Sequence, residues 1–149
     1  MPGPTVHLRL TMEWAIDEGL ATEEAQSVGT ADVLVDELWP GHQKWWHHFN
    51  PSASLLFAPL EMRRAVSAYR RGDRVAWMTH LGRSLHSRQD AVGHGRLGLN
   101  HIAWDLGVLK RDPDDWELMP ASVRARIERA TRRALARFIR LTGAAAPAP

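Results

Sequence analysis

Two short motifs of the form His-x-x-x-Asp lie close together in this chain, His86 with Asp90 and His101 with Asp105. Residues four apart share one face of an α-helix, so each motif in a helix aims an imidazole and a carboxylate at the same point. The chain has no cysteine, so any metal must be held by nitrogen and oxygen donors. The spacing therefore predicts helices that carry a metal site, with His94 as a further ligand between the two motifs.

The rest of the sequence favours an all-α fold, because apolar residues recur at helical spacing and alternating patterns are almost absent. A chain of 149 residues is long enough to bury one core. We expect a single-domain helical bundle over residues 1–142, followed by a low-complexity, disordered tail at 143–149. The predicted helices cover about 7–18, 31–38, 59–71, 74–92, 101–109 and 120–142, and a further segment is expected to open at Thr22. Thr30 is the expected N-cap of the second helix, and a long aromatic loop is expected at 39–57.

The charge is distributed unevenly along the chain. Residues 1–50 contain eight acidic side chains, whereas residues 121–141 contain seven arginines and a single glutamate. No apolar run approaches the ~20 residues of a membrane span. The N-terminus also lacks the charged and apolar regions of a secretory signal. These features predict a cytoplasmic protein without a transmembrane segment, or a secreted one if a leader has been removed.

Further candidate ligands lie upstream of the two motifs. They are His7 on the first helix, Asp32 and Asp36 on the next, and His42, His47 and His48 in the aromatic loop. Because His47 and His48 are adjacent, their side chains cannot easily point the same way, which leaves one of them as the ligand. We expect His42 and His80 to be hydrogen-bonded structural residues.

The order of these residues resembles that of a known family. The relevant segments are Thr5-Val-His7, Asp36, His48-Phe-Asn-Pro51, Leu81-Gly-Arg-Ser-Leu-His86-Ser-Arg-Gln-Asp90, His94 and His101-x-x-x-Asp105. Over about residues 7 to 105 they resemble zinc-dependent phospholipase C and the single-strand-specific zinc nucleases that share its fold. Three departures are a short gap before His94, an Asp at 105 where the family usually has Glu, and no N-terminal tryptophan.

The resemblance implies a cluster of two or three zinc ions. Its first ion would be held by Asp36, His48, His86 and Asp90, its second by His94, His101 and Asp105, and its third by His7 and a bridging Asp90. Asp36 would also orient or deprotonate the attacking water. The implied activity is hydrolysis of a phosphoester, with a phospholipid, a nucleotide or a small phosphodiester as substrate.

Two other functions remain open. Helical proteins with histidine and carboxylate ligands also hold two iron or manganese ions for oxygen chemistry, although those sites usually show Glu-x-x-His spacing. The arginine-rich last helix could instead make the chain a non-enzymatic basic module for nucleic acid or a membrane surface. Nucleic acid is not favoured, because no aromatic side chains lie between these arginines for base stacking.

Overall fold

The computed structural model describes residues 5–38, 53–93 and 115–144, and the regular structure in these ranges is entirely helical. This confirms the all-α prediction. A π-helical segment, Thr5–Leu10, continues into α1 (Thr11–Asp17), and α2 (Thr22–Leu38) follows. A second π-helical segment, Ala53–Phe57, leads into α3 (Ala58–Arg70), α4 (Arg74–Gly93) and α5 (Ala121–Thr142). None of the helices in the described ranges is long and apolar enough to cross a membrane.

Two local predictions are wrong. The expected break at Thr30 is absent, since Thr30 is an exposed residue inside the continuous helix α2. The buried residues Ala25, Val28 and Val35 hold this helix against the rest of the protein on both sides of Thr30, which overrides the local capping signal. Residues 53–57, expected in the loop, are helical. The remaining predicted loop (39–52) and the predicted helix at 101–109 lie outside the described residues.

Helix α4 packs against α2, α3 and α5 and carries the centre of the apolar core. Its residues Trp77, Leu81 and Leu85 are at most 3% exposed. The ring of Phe138 on α5 stacks on Trp77 with centroids 5.2 Å apart. Each large apolar side chain buried in this way contributes about 1.5–3 kcal/mol. The helix that bears the central His-x-x-x-Asp motif is therefore anchored on several sides.

Gly29 and Gly82 allow the N-terminal segment, α2 and α4 to pack with their backbones in direct contact. A Cβ on Gly82 of α4 would lie 2.6 Å from the carbonyl oxygen of Val28 and 2.8 Å from the backbone nitrogen of Asp32. A Cβ on Gly29 of α2 would lie 2.8 Å from the carbonyl oxygen of Leu8. No larger residue fits such contacts without a backbone shift. These contacts bring the N-terminal segment, α2 and α4 together, and each of the three carries candidate ligands.

Candidate metal centre

Five ionisable side chains meet where the N-terminal segment, α2 and α4 converge. They are His7, Asp32, Asp36, His86 and Asp90, of which Asp36 is 5% exposed and the other four are fully buried. Three carboxylates buried this closely are costly unless protons or a cation compensate their charge. The composition of the cluster therefore favours either protonated imidazoles or a bound metal ion.

Asp32 orients both imidazole rings. Its Oδ1 lies 2.9 Å from Nδ1 of His7 and 3.2 Å from Nδ1 of His86. The two rings are stacked, with centroids 4.2 Å apart and planes 28° apart. When both Nδ1 atoms donate to this carboxylate, each Nε2 keeps its lone pair for a metal ion. One buried carboxylate can thus set the tautomer of two candidate ligands.

The two Nε2 atoms face the carboxylates of Asp36 and Asp90. The Nε2 of His7 lies 3.4 Å from Oδ1 of Asp90 and 3.9 Å from Oδ2 of Asp36. The Nε2 of His86 lies 3.3 Å from Oδ2 of Asp90 and 3.6 Å from Oδ1 of Asp36. Donors bound tetrahedrally to zinc at about 2.0–2.1 Å are roughly 3.3 Å apart, which is close to these separations. His7, His86 and Asp90 form a buried group that could hold a metal ion.

A hydrogen-bonded network contacts the centre at Nδ1 of His7 and at Oδ2 of Asp32. Oε1 of Gln89 accepts from Nδ1 of His7 at 2.7 Å, and the Gln89 amide donates to Thr11 at 2.7 Å and to Thr131 at 3.2 Å. The hydroxyl of Thr11 donates in turn to Oδ2 of Asp32 at 2.9 Å. All of these side chains are fully buried. The network links α5 to the two imidazoles and restricts their orientation.

The electrostatics of the centre favour positive charge on the imidazoles. Burial lowers the pKa of His7, but the nearby carboxylates of Asp32 and Asp90 outweigh this effect and raise the pKa well above its ordinary value. Burial and the charge of His7 lower the pKa of His86, but Asp90 and Asp32 outweigh them and raise this pKa to about 9. Protons compensate the carboxylates when no cation is bound, and a divalent ion would displace them.

The structure brings together four of the eight ligands predicted from sequence, namely His7, Asp36, His86 and Asp90. The other four, His48, His94, His101 and Asp105, lie outside the described residues, as do His42 and His47. His80 is hydrogen-bonded as predicted, since its Nδ1 lies 2.6 Å from Oε2 of Glu61.

The supporting residues were not assigned from sequence. Asp32 was only one of several upstream candidates, yet it contacts both imidazoles. Thr11 and Thr131 had no distinct sequence signal, because each is a common polar residue within a helix, whereas Gln89 belongs to the Gln-Asp pair of the segment that resembles the family. The one local hint is that Gln89 precedes a predicted ligand on a helix that is largely buried.

No family model, curated protein or solved structure matches this chain. The resemblance to zinc-dependent phospholipase C therefore stays a prediction. A fold class by itself does not specify an activity, so the function has to be inferred from the chemistry of the buried centre.

Proposed function

We propose that this protein is a zinc-dependent hydrolase of phosphoesters whose centre includes His7, Asp36, His86 and Asp90. The observation that carries the proposal is the arrangement of the two Nε2 atoms, which face these carboxylates at 3.3–3.9 Å. Imidazole and carboxylate donors suit zinc as well as iron or manganese. The order of ligands along the chain, similar to that of the zinc phospholipases, favours zinc.

The chemistry of the donors fits a cation. In the described part of the chain, Nε2 of His7 is buried and makes no hydrogen bond. A buried polar atom left without a hydrogen bond costs about 1–3 kcal/mol. A metal ion placed between the imidazoles and the carboxylates would satisfy this nitrogen and also neutralise charge on Asp36 and Asp90.

The arrangement also suits more than one ion. Asp36 and Asp90 each direct one oxygen toward His7 and the other toward His86. If two zinc ions bind here, His7 and His86 would each hold one, and Asp90 would be a ligand shared between them, as the family resemblance implies. The same proposal includes a further ion on His94, His101 and Asp105, and His48 as an additional ligand of the ion on His86.

The residues of the centre would have different roles in hydrolysis. Bound zinc supplies Lewis-acid activation of water and of a phosphoryl oxygen. Asp36 is the most exposed of the three carboxylates, so it is the best placed to orient a water molecule and accept its proton. Asp32 and Gln89 hold the imidazoles in position through Nδ1. The proposed substrate is a phospholipid, a nucleotide or a small phosphodiester.

The first experiment measures metal content by inductively coupled plasma mass spectrometry on protein purified without a histidine tag. We expect two or three zinc ions per chain and hydrolysis of bis(p-nitrophenyl) phosphate. His86→Gln should remove at least one ion and abolish hydrolysis. The matched control is His80→Gln, because His80 is a histidine outside the centre that is hydrogen-bonded to Glu61. This variant should retain the wild-type metal content and the wild-type hydrolysis.

Several outcomes would contradict the proposal. Metal-free protein that added zinc does not stabilise would refute the metal centre. Zinc-loaded protein that hydrolyses no phosphodiester, phosphomonoester or phospholipid would refute the hydrolase activity while leaving the centre intact. Iron or manganese together with an oxidisable absorption band would favour the oxygen-chemistry alternative.

A further inference from the structure

A groove on the surface between α3 and α5 shares no residue with the metal centre. Its volume is about 530 Å³, within the range of about 300–1,000 Å³ that is usual for small-molecule sites. Its apolar lining comes from Pro59, Met62, Val66 and Leu141. Met62 and Val66 are buried, and Leu141 is 41% exposed. The accessible apolar surface of the groove therefore comes mainly from Pro59 and Leu141, and Met62 and Val66 form the buried floor beneath it.

Four arginines surround this floor, Arg63, Arg70, Arg71 and Arg137, and all of them are exposed. Arg71 donates to the hydroxyl of Ser67 at 2.6 Å, and Arg70 donates to the carbonyl oxygen of Leu141 at 3.4 Å. Within the described ranges, none of the four forms an ion pair with a carboxylate. Arg64, Arg74, Arg124 and Arg132, by contrast, each pair with an acidic side chain.

A fifth guanidinium lies near Arg137, although it is not part of the groove lining. Arg88 on α4 has its pKa lowered by burial and by the charge of Arg137. Arg137 thus stands near another cation while it lines the groove. Uncompensated cations around a concave surface create a positive potential that attracts anions.

We propose that the groove binds a single-chain amphiphile with an anionic head, a monoalkyl phosphate or a fatty acid. The head would lie among the arginines, whose guanidinium groups bind phosphate and carboxylate in bidentate geometry. The alkyl chain would lie on Pro59 and Leu141 above the buried Met62 and Val66, which removes apolar surface from water. A bare anion would leave the apolar surface uncovered, and an uncharged amphiphile would bring no negative charge to the arginines.

The test is isothermal titration calorimetry on the zinc-loaded protein, with every ligand below its micelle-forming concentration. Decyl phosphate and decanoate should bind at least tenfold more tightly than inorganic phosphate or decyltrimethylammonium. Comparison of the two anionic amphiphiles identifies the preferred head group. Because phosphate can also bind a metal centre, the titrations are repeated after treatment with EDTA, where the affinities should be unchanged.

Variants assign the binding to the groove. The double substitution Arg63→Gln and Arg137→Gln should weaken decyl phosphate binding at least fivefold. Leu141→Ser should weaken decyl phosphate while leaving inorganic phosphate unaffected. The control is Arg133→Gln, an exposed arginine of α5 outside the groove lining, which should leave the affinity unchanged. All three changes are at exposed positions, so circular dichroism should show the wild-type fold.

Specific outcomes would overturn the proposal. Equal binding of inorganic phosphate would show a simple anion site, and equal binding of decyltrimethylammonium would show unselective apolar binding. Affinity unchanged by the double arginine substitution would place the ligand elsewhere, and loss of binding in EDTA would place it at the metal centre. Binding to anionic vesicles but not to monomeric amphiphile would indicate a membrane surface instead.

Discussion

Replacing Asp32 with Asn tests whether one carboxylate orients both imidazoles. The change keeps the shape of the side chain and removes its charge. The amide oxygen can still accept from Nδ1 of His7 and His86, and the amide nitrogen can donate to Thr11. The Thr11 hydroxyl can then donate to the carbonyl oxygen of Val6, which lies 3.0 Å away. Each hydrogen-bonding group therefore keeps a partner, and we expect the fold to survive.

The expected loss follows from the two contacts that Asp32 makes with the imidazoles, 2.9 Å from Nδ1 of His7 and 3.2 Å from Nδ1 of His86. Hydrogen bonds to a charged group contribute about 1.5–3 kcal/mol, against about 0.5–1.5 kcal/mol for neutral pairs. Each bond should thus weaken by roughly 1 kcal/mol, and a total of about 2 kcal/mol corresponds to ~30-fold in metal affinity. This lies within the ~10–100-fold effect of removing a partner of a metal-bound imidazole.

The assay is a competition titration against a chromophoric zinc chelator, with thermal unfolding measured in parallel. The matched control is Glu61→Gln, because Glu61 is also a buried carboxylate bonded to a histidine, His80. This control should lower stability and leave zinc affinity within threefold of wild type. If Asp32→Asn also stays within threefold, Asp32 does not orient the ligands. If both variants lose affinity equally, the effect is a general loss of stability.

Three further predictions concern packing, protonation and the supporting network. Gly82→Ala should lower Tm by roughly 3–10 °C, since its Cβ would lie 2.6 Å from a backbone oxygen. Gly93→Ala, whose Cβ would meet only side-chain atoms, at 3.4 Å and 3.9 Å, should leave Tm unchanged or slightly raised. In chelator-treated protein, the raised pKa of His86, about 9, means that its contribution to stability is complete below about pH 6.5. Denaturant titrations should show this contribution lost as pH rises toward 9, and a stability that increases over this interval would contradict the assignment. Gln89→Leu should destabilise the protein by about 2–4 kcal/mol in urea titrations, because it removes three buried hydrogen bonds. An unchanged unfolding midpoint would show that the network is dispensable.

The sequence alone was sufficient for features that depend on spacing along one helix. Helical periodicity predicted the all-α fold, which the described ranges confirm. The four-residue spacing of His86 and Asp90 predicted that both side chains face one point, and their Nε2 and Oδ2 atoms lie 3.3 Å apart. Backbone hydrogen bonds place residues four apart on one face of any α-helix, so this shared face could be predicted without knowledge of the rest of the molecule.

Only the tertiary structure decided which residues complete the centre. Asp32 and Asp36 lie four apart on one face of α2, so helical spacing did not distinguish them, and only the family resemblance favoured Asp36. The approach of α2 to α4 at Gly82 places Asp32 on the Nδ1 side of both imidazoles and Asp36 on the Nε2 side. Gln89 is hydrogen-bonded to His7, although the two residues are 82 positions apart in the sequence. Such registers between helices depend on the combined packing of many distant side chains, whereas the spacing within a helix depends on its own backbone.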